Sequence, residues 1–188
     1  MKLVVLGDSL SAGLGLSAGD AFPAKLSRAL KAKGHAVDVV DAGVSGDTAS
    51  AGLARLDWSV PEGANAVIVE LGANDALRGI DPKVTRDALD SILRRLKARG
   101  IEVLLAGMQA PRNMGPDYTG AFDSIFPELA VAHGVPLYPF FLDGVATEAK
   151  LNQRDGVHPN ATGVDVIVAR ILPKVEELVS RARARQRS

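Results

Sequence analysis

A chain of 188 residues, 47% hydrophobic and 23% charged, is long enough to bury one good core and short for two. Its 22 Lys and Arg residues balance 22 Asp and Glu residues, so no global charge draws it to nucleic acid or to an anionic membrane, and no apolar run approaches a membrane span. The absence of cysteine removes disulfides, thiolate catalysis and zinc–thiolate sites together, while a small neutral substrate is not disfavoured.

The apolar run 3–6 reads as a buried strand that Gly7 breaks. Asp8 and Ser9 therefore fall at the strand's carboxyl end, where open α/β sheets hold their ligands. Ser9 is a candidate nucleophile there; the plainer reading is a strand-to-helix turn in which Ser9 caps a helix. Asp20 and Pro23 open a helix through Leu26, Ala29 and Leu30 that stops at Gly34, and 37–40 reads as the second strand. A short helix over 48–57 leads to a third strand at 66–69. Asp81-Pro82 then opens an amphipathic helix with Val84, Ala88, Ile92, Leu93 and Leu96 on one face, ending before Gly100. A fourth strand at 103–106 is followed by a helix over about 119–132, which Pro127 should kink. The fifth strand, 135–138, contains Pro136 and so suits a sheet edge. The last helix carries Val164, Ile167, Val168, Ile171, Leu172, Val175, Leu178 and Val179 at three- and four-residue spacing, interrupted or kinked at Pro173. Residues 1–180 form a single domain in this reading, and the basic tail 181–188, without a bulky apolar residue, is expected to fray into solvent.

Alternation of strand and helix demands right-handed crossovers and a parallel sheet covered on both faces. The expected fold is α/β, a three-layer α/β/α sandwich around a five-stranded parallel sheet in flavodoxin-like order 2-1-3-4-5. That order puts a switch point beside strand 1, and hence beside Ser9.

Three further loops should gather at the same edge: 41–48 after strand 2, 70–75 after strand 3, and 155–160 before the last helix. A serine needs a base to attack at neutral pH, and the base needs a partner to hold its tautomer. Asp155 and His158 are three residues apart, which in a tight turn lets the carboxylate reach Nδ1 while Nε2 points outward. Each residue alone reads as an ordinary turn former; together, with Ser9 on the same rim, they read as a triad. Gly46 and Asn74 likewise are either plain turn residues or, with the Ser9 amide, the donors of an oxyanion hole. Such a site needs no metal or cofactor, and a neutral histidine base makes activity rise with pH to a plateau. The serine is not in a Gly-x-Ser-x-Gly elbow and the acid lies only three residues before the histidine, which argues against an α/β-hydrolase.

Taken together, Gly7-Asp8-Ser9-Leu10, Gly46 within 43–48, Gly72-Ala73-Asn74-Asp75 and Asp155-Gly156-Val157-His158-Pro159 resemble the blocks of the SGNH hydrolases, also called GDSL esterases and lipases. Segments 77–79, 113–118, 122–127 and 139–142 resemble more closely the bacterial branch of multifunctional thioesterase I, lysophospholipase L1 and arylesterase. The resemblance implies hydrolysis of carboxylic esters, aryl or acyl, extending to acyl thioesters and lysophospholipids, with Ser9, Asp155 and His158 as triad and Gly46 and Asn74 as oxyanion donors. It also implies a periplasmic or secreted mature form. The chain itself enters strand 1 without room for an apolar signal region, so a cytoplasmic enzyme and a trimmed exported one both remain open.

Loops 75–80 and 109–118 flank Ser9 in the expected strand order and bring Leu77, Ile80, Pro111, Met114 and Tyr118 to one side as an apolar wall for the substrate; the plainer reading packs these side chains onto their own helices. An apolar wall predicts preference for acyl groups longer than acetyl. Three alternatives stand beside it. Within the enzyme class, a carbohydrate O-deacetylase would use the same triad in an open polar site, against which the apolar loop residues argue. From another class, a flavodoxin-like binding module would cradle phosphate in the loop after strand 1, although Asp8 would repel the anion there; and a non-catalytic scaffold is the plainest reading.

Overall fold

The computed structural model describes residues 1–187. Five strands, β1 (Lys2–Gly7), β2 (Asp38–Gly43), β3 (Ala66–Glu70), β4 (Glu102–Ala106) and β5 (Leu137–Tyr138), form one sheet in the order β2-β1-β3-β4-β5. All four pairings are parallel, with Gly7 level with Gly43 on one side and with Glu70 on the other. The shared register sets the ends of β1, β2 and β3 side by side, so the loops that leave them share one edge.

Continuous burial explains the unbroken apolar runs. Leu3 to Leu6 and Ala66 to Val69 have no exposed surface, because helices cover both faces of the central strands. The helices are α1 (Ser9–Ala12), α2 (Phe22–Ala32), α3 (Ala49–Ala54), α4 (Leu56–Ser59), α5 (Ala73–Leu77), α6 (Pro82–Ala98), α7 (Pro116–Asp123), α8 (Ile125–His133) and α9 (Ala161–Arg185). Helix α2 packs on α9, whereas α3, α6 and α8 pack together, as right-handed crossovers require of a sheet that starts at its second strand.

Four sequence expectations need correction. The helix expected over 119–132 begins at Pro116 and breaks at Ser124 rather than kinking at Pro127. Pro127 falls in the first turn of α8, where its missing N–H has no carbonyl to meet. Pro173 does not interrupt α9, which runs on through 25 residues. Ser9 does not cap α1; Asp8 does, its Oδ1 accepting the Leu10 amide at 2.9 Å. The basic tail is helical as far as Arg185 instead of frayed. Ala182 prolongs the buried stripe of α9 and is 2% exposed, and Arg181 and Arg185 both donate to Glu102 at the start of β4, at 3.1 and 3.2 Å. Ser188, the last residue of that tail, lies outside the described residues.

Candidate active site

Ser9 opens α1 immediately beyond β1 and is 8% exposed. Its Oγ stands 2.9 Å from His158 Nε2, and His158 Nδ1 stands 2.7 Å from Asp155 Oδ2. The other Asp155 oxygen accepts the amides of Val157 and His158 at 2.9 and 3.0 Å, so one carboxylate closes the turn and aims the ring. Those two amides, followed by the imidazole, pull the Asp155 carboxyl down to about 2, and it is ionised wherever the domain operates. Gln153 fastens the turn to the serine: its side-chain amide donates to Leu14 O just past α1 and to Pro159 O, and its backbone amide to His158 O.

Three donors of the right type lie between the loops. The Ser9 amide is one of those that a helix start leaves without a carbonyl. Gly46 sits at φ +87°, a conformation that glycine adopts without strain, and its carbonyl is turned away to accept from Arg78 Nη2 at 2.8 Å. Among the described residues neither amide donates to a protein acceptor. Asn74, in the first turn of α5, points its Nδ2 at Asp8 Oδ2 (3.1 Å) and Asp47 O (2.9 Å).

Beneath these groups lies a polar framework that sequence reading missed. Arg55, 8% exposed, donates to Asp47 Oδ2 at 2.5 Å, Ala42 O at 2.8 Å, Ser59 Oγ at 2.8 Å and Gly7 O at 2.9 Å, tying the ends of β1 and β2 to the Gly46 loop. Asp75 accepts from the Ala49 amide and from Thr85 Oγ1, both at 2.9 Å, and so joins the α5 loop to the start of α3 and to α6. Glu70 ends β3 with no exposed surface; its Oε2 accepts from Ser11 Oγ at 2.7 Å and from the Asp8 amide at 3.4 Å, while Oε1 has no protein partner. Gly7 must be glycine to admit this pair, since a Cβ there would stand 2.3 Å from Ser11 Oγ and 2.6 Å from Glu70 Oε2. Burial holds the Glu70 carboxyl well above the usual carboxylate range, with the nearby Asp8 charge acting in the same direction. Burial also pushes Asp8 up, to about 6, against the pull of the Leu10 and Asn74 hydrogen bonds and of His158.

The five residues expected to form an apolar wall lie on the segments that follow β3 and β4. Leu77 is 54% exposed on α5; Ile80, Pro111, Met114 and Tyr118 are half-buried. The two loops meet, the Met114 methyl group lying 3.2 Å from where a Gly79 Cβ would be. Tyr118 serves as a brace: its ring stacks on Phe122 and its hydroxyl donates to Ile80 O at 2.8 Å. Leu14, Val44 and Val157 are also exposed, on the loops that carry Ser9, Gly46 and His158. Among the described residues no three His, Asp or Glu side chains are grouped so as to hold a metal ion, and no helix is long and apolar enough to cross a membrane.

A parallel 2-1-3-4-5 sheet with a serine, a histidine and free backbone donors at the carboxyl ends of its strands defines a serine hydrolase of the three-layer α/β/α kind. Residues 5–166 match the model of the GDSL-like Lipase/Acylhydrolase family, and the chain belongs to that family and is an esterase. It is similar to Esterase TesA of Pseudomonas aeruginosa, 39% identical over 94% of this chain and 89% of that protein. It is also similar to Thioesterase 1/protease 1/lysophospholipase L1 of Escherichia coli K12, 41% identical over 95% of this chain and 85% of the relative. Among solved structures, a crystal structure of TesA superposes with a TM-score of 0.90 at 38% identity, covering 95% of this chain and 99% of that one.

Proposed function

We propose that this esterase hydrolyses esters of acyl groups longer than acetyl, and acyl thioesters and lysophospholipids with them, through an acyl-enzyme on Ser9. The observation that carries the reading is the unbroken hydrogen-bonded line from Ser9 Oγ through both nitrogens of His158 to Asp155. Ser9 attacks the acyl carbonyl while His158 Nε2 takes its proton, and the Asp155 carboxylate stabilises the resulting imidazolium. The negative charge that develops on the carbonyl oxygen is met by the Ser9 and Gly46 amides and by Asn74 Nδ2, which turns one hydrogen from the Asp47 carbonyl to the substrate. His158 returns the proton to the departing alcohol or thiol, and water then repeats the sequence on the acyl-enzyme with the same base. Leu77, Ile80, Pro111 and Met114 line the acyl side, with Tyr118 bracing the loop behind them. The exposed Leu14, Val44 and Val157 favour an apolar substrate over a sugar ester. We assign the enzyme to the periplasm or the outside of the cell on the family resemblance alone; activity confined to the cytosolic fraction of cells expressing the native gene would overturn that assignment.

The test joins a fluorophosphonate probe to p-nitrophenyl esters of two to twelve acyl carbons and matching acyl thioesters. The expected results are one label per chain on Ser9, turnover lowered by several orders of magnitude in Ser9→Ala without loss of folding, and kcat/KM that climbs with acyl length. Full activity in Ser9→Ala would overturn the mechanism, and a preference for acetyl would transfer the site to a deacetylase.

A further inference from the structure

Asn74 is useful to an oxyanion only if its side-chain nitrogen, rather than its oxygen, faces the reacting carbonyl, and an asparagine side chain is nearly symmetric in shape. Something must choose between the two orientations. Two groups that can only accept a hydrogen bond stand against Nδ2: the Asp8 carboxylate at 3.1 Å and the Asp47 carbonyl at 2.9 Å. Asp8 adjoins Ser9, and Asp47 adjoins Gly46. The nitrogen is thus held between the two loops that carry the two backbone donors, with both of its hydrogens engaged, so to meet an oxyanion the one on the neutral Asp47 carbonyl must turn away while the Asp8 carboxylate keeps the other.

The Asp8 carboxylate does more than accept from Asn74. Its other oxygen takes the Leu10 amide at 2.9 Å and so fixes the start of α1, from which the Ser9 amide projects. Its own backbone amide is held by Glu70 Oε2 at 3.4 Å, so Asp8 is located from below by a second acid. With no exposed surface, Asp8 has no water to substitute for either contact. The burial of a carboxylate beside the place where an oxyanion forms is electrostatically unfavourable in itself, and a stability role alone would be met by Ser or Thr at a helix cap. What a carboxylate supplies and those residues do not is an acceptor on each of two oxygens, aimed at two donors of one site.

We propose that Asp8 is a positioning residue of the oxyanion hole, whose carboxylate fixes the orientation of the Asn74 amide and, through Leu10, the start of the helix that presents the Ser9 amide. The inference rests on the reading of Asn74 as an oxyanion donor given above. It makes a defined demand on chemistry: both Asp8 oxygens must be acceptors. An asparagine at position 8 keeps the shape but offers one oxygen and one NH2 group, so either Leu10 N or Asn74 Nδ2 then faces another donor. A protonated Asp8 has the same defect. The groups that face Asp8 and set its charge are Glu70 from β3, Asp47 from the loop after β2, and His158 from the turn before α9, with Arg55 reaching the same corner through Asp47 and the Gly7 carbonyl.

A double-mutant cycle separates this role from a merely structural one. Asn74→Ala should lower kcat on a p-nitrophenyl ester by about 100- to 1000-fold, as loss of one oxyanion donor does. Asp8→Asn should lower kcat by about 10- to 100-fold with KM little changed, since the contact is required in the transition state. In the Asn74→Ala background the further effect of Asp8→Asn should shrink to about threefold, because the donor it positions is already gone. If the two effects multiply, or if Asp8→Asn leaves kcat unchanged, the proposal is overturned. If Asn74→Ala itself is harmless, the oxyanion reading of Asn74 fails and the proposal falls with it, a result distinct from the other two. A measurement without turnover guards against poor folding of Asp8→Asn. In the Asp8→Asn protein the Asn74 side-chain 15N–1H resonances, assigned by their absence in the Asn74→Ala version, should move from their parent positions while the bulk of the backbone amide spectrum stays dispersed and in place. Asn74 resonances that do not move in a folded Asp8→Asn protein would overturn the proposal whatever the kinetics.

Discussion

Arg55→Met offers the sharpest check on how the site is held together. The substitution keeps most of the apolar stem and removes a guanidinium that makes four hydrogen bonds from a position 8% exposed. It leaves behind the carbonyls of Gly7 and Ala42, the Ser59 hydroxyl and an Asp47 carboxylate whose side chain is 13% exposed. A buried acceptor deprived of its donor costs about 1–3 kcal/mol, and removal of one partner of a buried ion pair costs about 3–5 kcal/mol. These costs share one relaxation and do not add, so the expected loss is about 3–5 kcal/mol. Against a total of about 5–15 kcal/mol for a typical domain, that loss leaves the protein folded over all but the lowest part of the range. At a urea dependence of about 2 kcal/mol per molar, the midpoint of unfolding should drop by about 2 M. Far-ultraviolet circular dichroism is the right probe, because Trp58 is 75% exposed in the native state and its fluorescence reports little. Arg55→Lys should fall between, since one ammonium cannot reach four acceptors on three segments. Turnover should fall with stability, the lost contacts being to Gly7 and Asp47, which flank the Ser9 and Gly46 donors. An Arg55→Met protein within about 1 kcal/mol of the parent would refute the reasoning.

Other outcomes can be checked alongside. Burial raises Glu70 above its ordinary value of 4.5, so as pH rises past that value the unfolded chain gives up a proton that the folded one keeps, and stability falls. Glu70→Gln, which copies the neutral acid, should therefore gain on the parent between pH 5 and 9 in urea titrations; an unchanged slope of stability with pH would count against a buried neutral Glu70. Leu77→Ala and Met114→Ala should each lower kcat/KM for a decanoyl ester by a few-fold to about tenfold and leave acetyl ester hydrolysis nearly unchanged, at up to about 0.8 kcal/mol for each methylene no longer covered. Equal losses on both esters would remove those side chains from the acyl path. His35 and His133 face Glu176 and Asp90 at 3.0 and 2.7 Å, away from Ser9, so their alanine variants should keep full turnover, and a dead His133→Ala would contradict the topology.

The strands, the main helices and the Asp155–His158 pair were legible because each depends on local signals, whereas the sheet order, and with it the place of Ser9 beside that pair, rested on the rule that open α/β sheets set their sites at a switch point. Apolar runs ended by glycine mark the strand ends, and an Asp three residues before a His in a Gly-containing turn has few ways to avoid it. The second layer of the site was not legible for a physical reason. Arg55 looks like the polar face of a short helix until Gly7, Ala42 and Asp47 converge on it from two strand ends and a loop. Glu70 is a weaker omission: a carboxylate directly after the buried run 66–69, level with Gly7, carried a signal that something at the strand end needed it. Asp8 was weighed only as a repellent for phosphate, whereas its caps and partners are set by residues up to 66 positions away. The tail misled because charge density outweighed spacing; Ala182 continues the rhythm of Leu178 and Val179 with a side chain too small to stand out.

The two margins of the sheet have a bearing on handling the protein at high concentration. With 22 charges of each sign the molecule has little net repulsion to keep its copies apart, so an open strand edge would be a hazard. At one margin β5 is two residues long and follows Pro136, which has no N–H to offer a neighbour. At the other, β2 is six residues long but puts Asp38 and Asp41 out into solvent, and Asp41 Oδ1 takes the Gly43 amide at 2.8 Å. A second copy approaching that margin would meet two carboxylates and find the last amide already taken. Replacing Asp38 and Asp41 with apolar residues would leave the catalytic groups untouched and turn this margin into a template for strand addition.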